Sequence, residues 1–126
     1  MTLFEECVEA LGNGIKILSE QEAKKILTQF QIDFPLNQFL RVQWENYINK
    51  IIINNSVQLS SEIKENIALY IIWDNARLPI IHTDLFSVIK VIDDVTAVSF
   101  DTWLYSPENK FLVEFHHDGK ITICNK

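Results

Sequence analysis

Three consecutive residues near the C-terminus, His116, His117 and Asp118, carry side chains suited to acid–base or metal chemistry. Imidazole and carboxylate groups exchange protons and are common ligands of transition metals. The run follows KFLVEF, whose alternating apolar residues predict a β-strand. Adjacent strand residues point to opposite faces, so we expect the two imidazoles to diverge and predict no metal site.

Acid–base pairs of the kind that hydrolases use can also be assembled from this chain. Strand alternation would place Asp101 near His116, and Asp74 near Glu114, on one face of a sheet. Such pairs carry little weight, because 17 Asp and Glu residues offer many of them and no nucleophile has a matching base. The GNG segment follows a predicted helix, whereas a phosphate-binding loop precedes one. We predict no catalytic residue and no cofactor, and keep a small hydrolytic enzyme as an alternative.

Composition and charge indicate one acidic globular domain. The 126 residues are 48% hydrophobic and 22% charged, and no repeat, low-complexity tract or Pro/Gly/Ser-rich linker divides them, so we expect one domain over residues 1–126. Eleven Lys and Arg against 17 Asp and Glu give a net charge of -6. Phosphate binding requires clustered cations, so we expect a basic protein partner and no direct contact with nucleic acid. The alternative is that the charge serves only solubility.

The cysteines and the N-terminus indicate a cellular compartment. Cys7 and Cys124 lie near opposite ends of the chain, without the spacing of a zinc site or the density of a secreted disulfide scaffold. The N-terminal segment carries acids where a signal peptide would carry cations, and no apolar run approaches the roughly 20 residues that span a bilayer. We expect a cytoplasmic protein without a membrane segment.

Two helix-start signals lie in the first quarter of the chain. Thr2 with Glu5, and Ser19 with Glu22, have the spacing of a capping box. Apolar residues follow each box at helical intervals. We therefore predict two N-terminal helices.

The middle of the chain gives weaker signals of secondary structure. Residues 36–53 keep a helical apolar spacing but are rich in β-forming residues, so we favour a helix and keep a strand as the alternative. A short helix is expected with Ser60 or Ser61 as its cap. Another is expected after Asp84, whose carboxylate suits the positive end of a helix dipole.

The last third of the chain predicts an antiparallel meander. IALYIIW is a continuous apolar run, typical of a buried central strand. AVSFDTWLY, KFLVEFHH and KITIC follow, joined by a turn at SPENK and by Asp118-Gly119, a dipeptide of type I′ hairpins. The predicted class is α+β, a mainly antiparallel sheet packed with several N-terminal helices and one central helix.

Strand alternation divides this sheet into two faces. One is apolar and is the expected core: Leu69, Ile71, Trp73, Val98, Phe100, Leu104, Phe111, Val113, Phe115, Ile121 and Ile123. The other is aromatic and acidic, without Lys or Arg: Tyr70, Ile72, Asp74, Ser99, Asp101, Trp103, Tyr105, Glu114, His116, Thr122 and Cys124. An open face of this kind would bind a protein through aromatic anchors. The alternative is that helices or a second copy of the chain cover it.

Several segments resemble the small immunity proteins of bacterial contact-dependent growth inhibition systems: IIWDNARLP, TDL, DDVTAVSFDTWLYSP, EFHHDGKITI and the N-terminal LFEECVEALG. The likeness covers most of the chain and is densest from Trp73 to Ile123. It implies a cytoplasmic, non-enzymatic protein that binds and neutralises the C-terminal domain of a cognate toxin, frequently a nuclease. An acidic face with aromatic anchors would occlude the basic substrate-binding surface of a nuclease.

For this role we predict toxin-binding residues on the aromatic and acidic face: Asp74, Asp101, Trp103, Tyr105, Glu114 and His116. The resemblance assigns no contact residues, because shared motifs can maintain a fold while variable loops select the partner. In that alternative the specificity lies in NQFLRVQWENY or NNSVQLSSE, and the shared motifs are scaffold.

Overall fold

The computed structural model describes all residues, 1–126. Its strands are β1 (Lys16–Ile17), β2 (Lys50–Ile53), β3 (Ala68–Trp73), β4 (Ile81–Asp84), β5 (Thr102–Ser106), β6 (Phe111–Phe115) and β7 (Ile121–Asn125). They form one antiparallel sheet in the order β1-β4-β3-β5-β6-β7-β2. The helices are α1 (Leu3–Leu11), α2 (Glu20–Asp33), α3 (Ser56–Glu62), α4 (Leu85–Lys90) and α5 (Ile92–Thr96). The predicted α+β class is confirmed.

The local signals for three helix starts are confirmed. The Thr2 hydroxyl accepts the Glu5 amide at 3.1 Å while Glu5 accepts the Thr2 amide at 2.9 Å, and the same reciprocal pair forms at Ser19 and Glu22. Asp84 caps α4 through its carboxylate. None of the helices combines the length and apolar character that a membrane crossing requires.

The helix favoured for residues 36–53 is wrong. Leu36 and Val42 form an isolated antiparallel bridge, Trp44–Asn46 is a single 3-10 turn, and β2 follows. β2 pairs with β7, so the three consecutive isoleucines of this segment gain ladder hydrogen bonds at the sheet edge. Pairing with a distant strand outweighs the helical spacing because β-branched residues suit an extended strand.

The short helix that follows also begins earlier than predicted. The Asn55 carboxamide accepts the Gln58 amide at 3.0 Å, so Asn55 caps α3, not Ser60 or Ser61. Both serines lie inside the helix instead. A serine can cap a helix only where the backbone enters it, and the entry point is fixed by the end of β2.

The predicted meander of β5, β6 and β7 is confirmed, with β3 between β4 and β5. The hairpin turn differs from type I′, because only Gly119 has a positive φ, at 95°. The Gly119 amide donates to the His116 carbonyl at 3.0 Å and the His116 amide to the Lys120 carbonyl at 3.0 Å. This is a type I turn followed by a glycine bulge, and it leaves residues 116–120 in a loop.

The predicted core face is confirmed in most of its residues. Its strand residues pack against α1, α3, α4 and α5 through Cys7, Leu59, Val88 and Val95. Phe100 is the exception and is 82% exposed. β5 begins only at Thr102, so the alternation that predicted a core position does not extend to Phe100.

The strand residues of the aromatic and acidic face are covered, so the expectation that this face is open is wrong for them. α2 packs its apolar stripe on this face, and the segment from Phe34 to Tyr47 continues the cover. Phe30 and Phe34 contact Tyr105 at ring-centroid distances of 5.2 and 6.2 Å. The molecule therefore has three layers, with helices on both faces of the sheet.

Candidate functional site

Three of the six predicted toxin-binding residues are buried. Trp103, Tyr105 and Glu114 are 5%, 0% and 6% exposed, between the sheet and α2. A partner could reach them only if α2 moved away. Trp103 and Tyr105 belong to a second core on this side of the sheet.

Glu114 is held by two indoles. Trp44 donates its Nε1–H to Oε1 at 2.8 Å, and Trp103 donates its Nε1–H to Oε2 at 2.9 Å. A buried carboxylate requires such donors, because it loses its hydration on burial. With both oxygens engaged in this way, Glu114 is not the acid–base partner of Asp74 that the sequence offered.

Tyr105 has a comparable structural partner. Its O–H donates to Asp33 Oδ2 at 2.5 Å, and Gln29 donates to Oδ1 of the same carboxylate at 3.1 Å. Burial, and then the adjacent Asp33 carboxylate, raise the pKa of the Tyr105 phenol. The hydroxyl thus stays protonated and joins the end of α2 to the sheet.

The other three predicted residues meet at one end of the sheet. Asp74 follows β3, Asp101 precedes β5, and His116 follows β6. The Asp74 amide donates to the Asp101 carbonyl at 3.3 Å, and the Asp101 amide donates to Asp74 Oδ1 at 3.2 Å. Phe100, His117 and Asp118 lie in the same loops. We call these six residues the sheet-end patch: Asp74, Phe100, Asp101, His116, His117 and Asp118.

The two histidines of this patch converge, so the prediction that their imidazoles diverge is wrong. Their ring centroids are 4.1 Å apart. β6 ends at Phe115, so both histidines lie in the hairpin loop, where strand alternation no longer applies. Strand geometry was the wrong premise for these two residues.

Each imidazole is paired with a carboxylate. Asp101 Oδ1 accepts the His117 amide at 2.8 Å and lies 3.0 Å from His117 Nδ1, so the close partner of Asp101 is His117, not His116. His116 Nδ1 lies 3.0 Å from Asp118 Oδ1. The amide of Lys120 and the ring of His116 hold the pKa of Asp118 below its ordinary value. The patch thus holds two carboxylate–imidazole pairs, which can exchange protons or bind a cation.

Phe100 is the part of the patch that sequence reasoning missed. Its ring is 82% exposed between Ser99 and Asp101. Ser and Asp favour turns over strands, and this signal could have placed the start of the predicted strand after Asp101. The Ser99 hydroxyl donates to Asp74 Oδ1, a carboxylate, and so lacks the imidazole base that would activate a serine nucleophile.

A groove of about 520 Å³ lies beside the patch. Its lining includes Asp93 and Thr96 of α5 together with His116 and His117. Thr102 also lines it, and its buried hydroxyl has no hydrogen-bond partner within the protein. A polar group entering this groove would meet carboxylate, imidazole and hydroxyl groups.

The helices next to the groove are strongly acidic. α1 packs against α5, and neither helix contains Lys or Arg. Their exposed carboxylates form the acidic helix surface: Glu5, Glu6, Glu9, Asp93 and Asp94. The geometry therefore offers an acidic surface that adjoins an exposed aromatic ring.

Comparison with known proteins identifies the family. The search of curated proteins returns no match. The family model described as "CdiI immunity protein EcoliA0-like" matches residues 1–124, nearly the whole chain. This match confirms the resemblance found in the sequence. The chain belongs to the CdiI immunity protein family, EcoliA0-like.

Proposed function

We propose that this protein binds the C-terminal domain of a cognate contact-dependent growth inhibition toxin in the cytoplasm and neutralises it without catalysis. Membership of an immunity protein family supports the role. The observation that carries the choice of partner is the acidic helix surface beside the sheet-end patch. The partner is a basic toxin domain, a nuclease.

Charge complementarity is the first part of the argument. The chain has a net charge of -6, and five exposed carboxylates lie on α1 and α5 without a cation on either helix. A nuclease needs a cationic surface to hold its substrate. An acidic inhibitor accelerates encounter with that surface and competes with phosphates for it.

The aromatic anchor is the second part. Phe100 stands exposed beside Asp74 and Asp101, and aromatic residues at the centre of an interface commonly carry much of its binding energy. From the predicted set we retain Asp74, Asp101 and His116 as toxin contacts. We assign the buried members a structural role between the sheet and α2, because α2 covers them.

The test compares two exposed phenylalanines. Phe100→Ala removes the proposed anchor, whereas Phe39→Ala removes a 72% exposed ring from the NQFLRVQWENY segment. The toxin domain encoded directly upstream is copurified, and affinity is measured by calorimetry at two salt concentrations. We expect Phe100→Ala to weaken binding about 30-fold, or about 2 kcal/mol, while Phe39→Ala leaves it unchanged.

The opposite pattern would place the contact on the NQFLRVQWENY segment and make the sheet-end patch scaffold. Raised salt should weaken the wild-type complex, because the acidic helix surface is exposed to screening. An affinity independent of salt would remove the electrostatic part of the proposal. Absence of binding or neutralisation by the wild-type protein would remove the proposal itself.

A small hydrolytic enzyme is a second candidate function, favoured by the 3.0 Å pair of Asp101 and His117 beside a groove. In that case the purified protein would hydrolyse a substrate without a partner. His117→Gln would abolish the turnover, whereas the neutralising protein would show none to abolish.

A homo-oligomer is a third candidate, favoured by the outer edge of the sheet. β2 is the last strand in the sheet order, and Ile48, Ile51 and Ile52 are exposed along it or next to it. An apolar edge strand can pair with a second copy of the chain. Native mass spectrometry at micromolar concentration distinguishes this case, since the toxin-binding role needs no dimer.

A further inference from the structure

The sheet-end patch gathers two imidazoles and a carboxylate within coordination range of one another. One ligand atom from each of Asp101, His116 and His117 lies within 4.8 Å of the other two. Asp101 Oδ1 and His117 Nδ1 are 3.0 Å apart. Two ligands at a tetrahedral angle, each about 2.0 Å from one zinc ion, lie about 3.3 Å from each other. The Asp101 and His117 atoms are therefore already close to the separation that one ion requires.

The third side chain, His116, is oriented by a neighbour. The Asp118 amide donates to its Nδ1 at 3.3 Å, and Asp118 Oδ1 lies 3.0 Å from the same nitrogen, so the Nδ1 edge of the ring faces Asp118. This orientation leaves Nε2 as the nitrogen that can coordinate an ion. Metal-bound histidines commonly have their other ring nitrogen held by a neighbouring carboxylate or backbone group.

The three side chains can be reached from solvent and can close on an ion. The His117 side chain is 48% exposed, and Asp101 and His116 are partly exposed. The largest separation, 4.8 Å, exceeds the tetrahedral value of about 3.3 Å, so one ring must move by roughly 1.5 Å. Both imidazoles lie in the loop of residues 116–120, outside the regular sheet, so a side-chain rotation within this loop can supply that movement.

We propose that Asp101, His116 and His117 bind a divalent transition-metal ion of the Zn²⁺ class. Imidazole nitrogen with one carboxylate oxygen suits Zn²⁺, Co²⁺ and Ni²⁺, whereas Ca²⁺ and Mg²⁺ take mainly oxygen ligands. Three protein ligands leave a fourth position for water. The bound ion joins the start of β5 to the β6–β7 hairpin. This inference stands apart from toxin binding and is tested on the protein alone.

The purified full-length protein is titrated with Co²⁺ as an absorbing probe and then with Zn²⁺ in competition. We expect one equivalent of Co²⁺ to bind and Zn²⁺ to displace it. The imidazole NMR signals of His116 and His117 should shift while that of His82 does not. His82 lies on β4 and stacks on Tyr70 at 4.7 Å, so it serves as an internal control.

Substitutions then assign the ligands. His117→Gln and Asp101→Asn should each lower the Co²⁺ affinity more than tenfold, and His82→Gln should leave it unchanged. Asp118→Asn should preserve one equivalent with about tenfold weaker binding, as expected for a residue that orients a ligand. Circular dichroism confirms that each variant is folded.

Three outcomes would overturn the proposal. The first is Co²⁺ binding that His117→Gln and Asp101→Asn leave intact. The second is a metal-induced shift of the His82 signal equal to those of His116 and His117. The third is no binding at millimolar metal. The NMR comparison needs no variant, so it decides the question even if a substitution disturbs folding.

Discussion

The indole nitrogen of Trp103 donates to Oε2 of Glu114 at 2.9 Å inside the layer between the sheet and α2. Both residues belong to the set predicted to contact a toxin, and the structure joins them to each other instead. Trp44 completes the arrangement from a segment 70 residues away in sequence. An aromatic and acidic sheet face is therefore compatible with a second core, provided that its carboxylates receive donors from the covering layer.

Glu114→Gln should destabilise the fold. A carboxamide offers one oxygen and one NH2 group, so one of the two indole N–H groups loses its acceptor and faces a donor. We expect the free energy of unfolding to fall by about 1–3 kcal/mol in urea denaturation. Glu108→Gln, in the exposed turn after β5, is the control and should change stability by less than about 0.5 kcal/mol. Equal midpoints for the two variants would contradict the importance of the two indole bonds.

Trp103→Ala should mainly lower the stability of the fold, whereas Phe100→Ala should mainly lower the affinity for the toxin. Trp103 is buried and packs on Phe30 at 5.7 Å between ring centroids, so its truncation should cost about 3–5 kcal/mol of stability. Phe100 is exposed, so its truncation should leave stability within about 0.5 kcal/mol and weaken toxin binding instead. Thermal or urea unfolding and calorimetric binding are measured on both variants. A loss of affinity without a loss of stability in Trp103→Ala would contradict the covered face.

The acid titration of Glu22 should depend on Lys16. Lys16 Nζ lies 2.6 Å from Glu22 Oε2, and this lysine, followed by the amide and hydroxyl of Ser19, lowers the pKa of Glu22 to about 2. A lowered folded-state pKa contributes stability above the ordinary value of 4.5, and that contribution is lost as the pH falls through about 2.

Lys16→Met should raise the Glu22 pKa towards 4.5, short of the full value because Ser19 still donates. Carboxyl NMR titration measures it directly. Glu5 has the same capping box without a lysine, so its pKa should be unaffected and provides the control. An unchanged Glu22 titration in the variant would show that the capping box alone lowers it.

Stability should decline in alkaline solution, in part through Cys7. Burial, and then the charge of Asp94, raise the pKa of the Cys7 thiol to about 11 from an ordinary 9.0. A raised folded-state pKa contributes stability that is complete below pH 9 and is lost as the pH rises through about 11. One such group changes the free energy of unfolding by at most about 1.4 kcal/mol per pH unit.

Urea unfolding of wild type and Cys7→Ala between pH 8 and 11 tests this contribution. The difference in stability between the two proteins should shrink as the pH rises, because only the wild type must protonate a buried thiol to fold. A constant difference across that range would show that Cys7 does not couple to pH.

Much of the local structure was determined by the sequence alone. The capping boxes of α1 and α2, the Asp84 cap and the meander of the last three strands depend on residues a few positions apart, and all are confirmed. The division of the sheet into two faces was also predictable, because strand alternation holds wherever the strand continues. The family resemblance belongs to this part as well, since it rests on sequence segments.

Tertiary structure decided what those faces do. Whether the aromatic and acidic face is exposed to solvent depended on where α2 packs. The apolar spacing of α2 predicts a buried side but does not identify the surface against which that side packs. The end points of β5 and β6 decided the exposure of Phe100 and the convergence of His116 and His117. Backbone pairing between distant segments sets those end points. It therefore determines which residues lie beyond the strand ends, where side chains no longer alternate between the two faces. The candidate site therefore lies where the regular sheet stops, a boundary that local sequence patterns define least well.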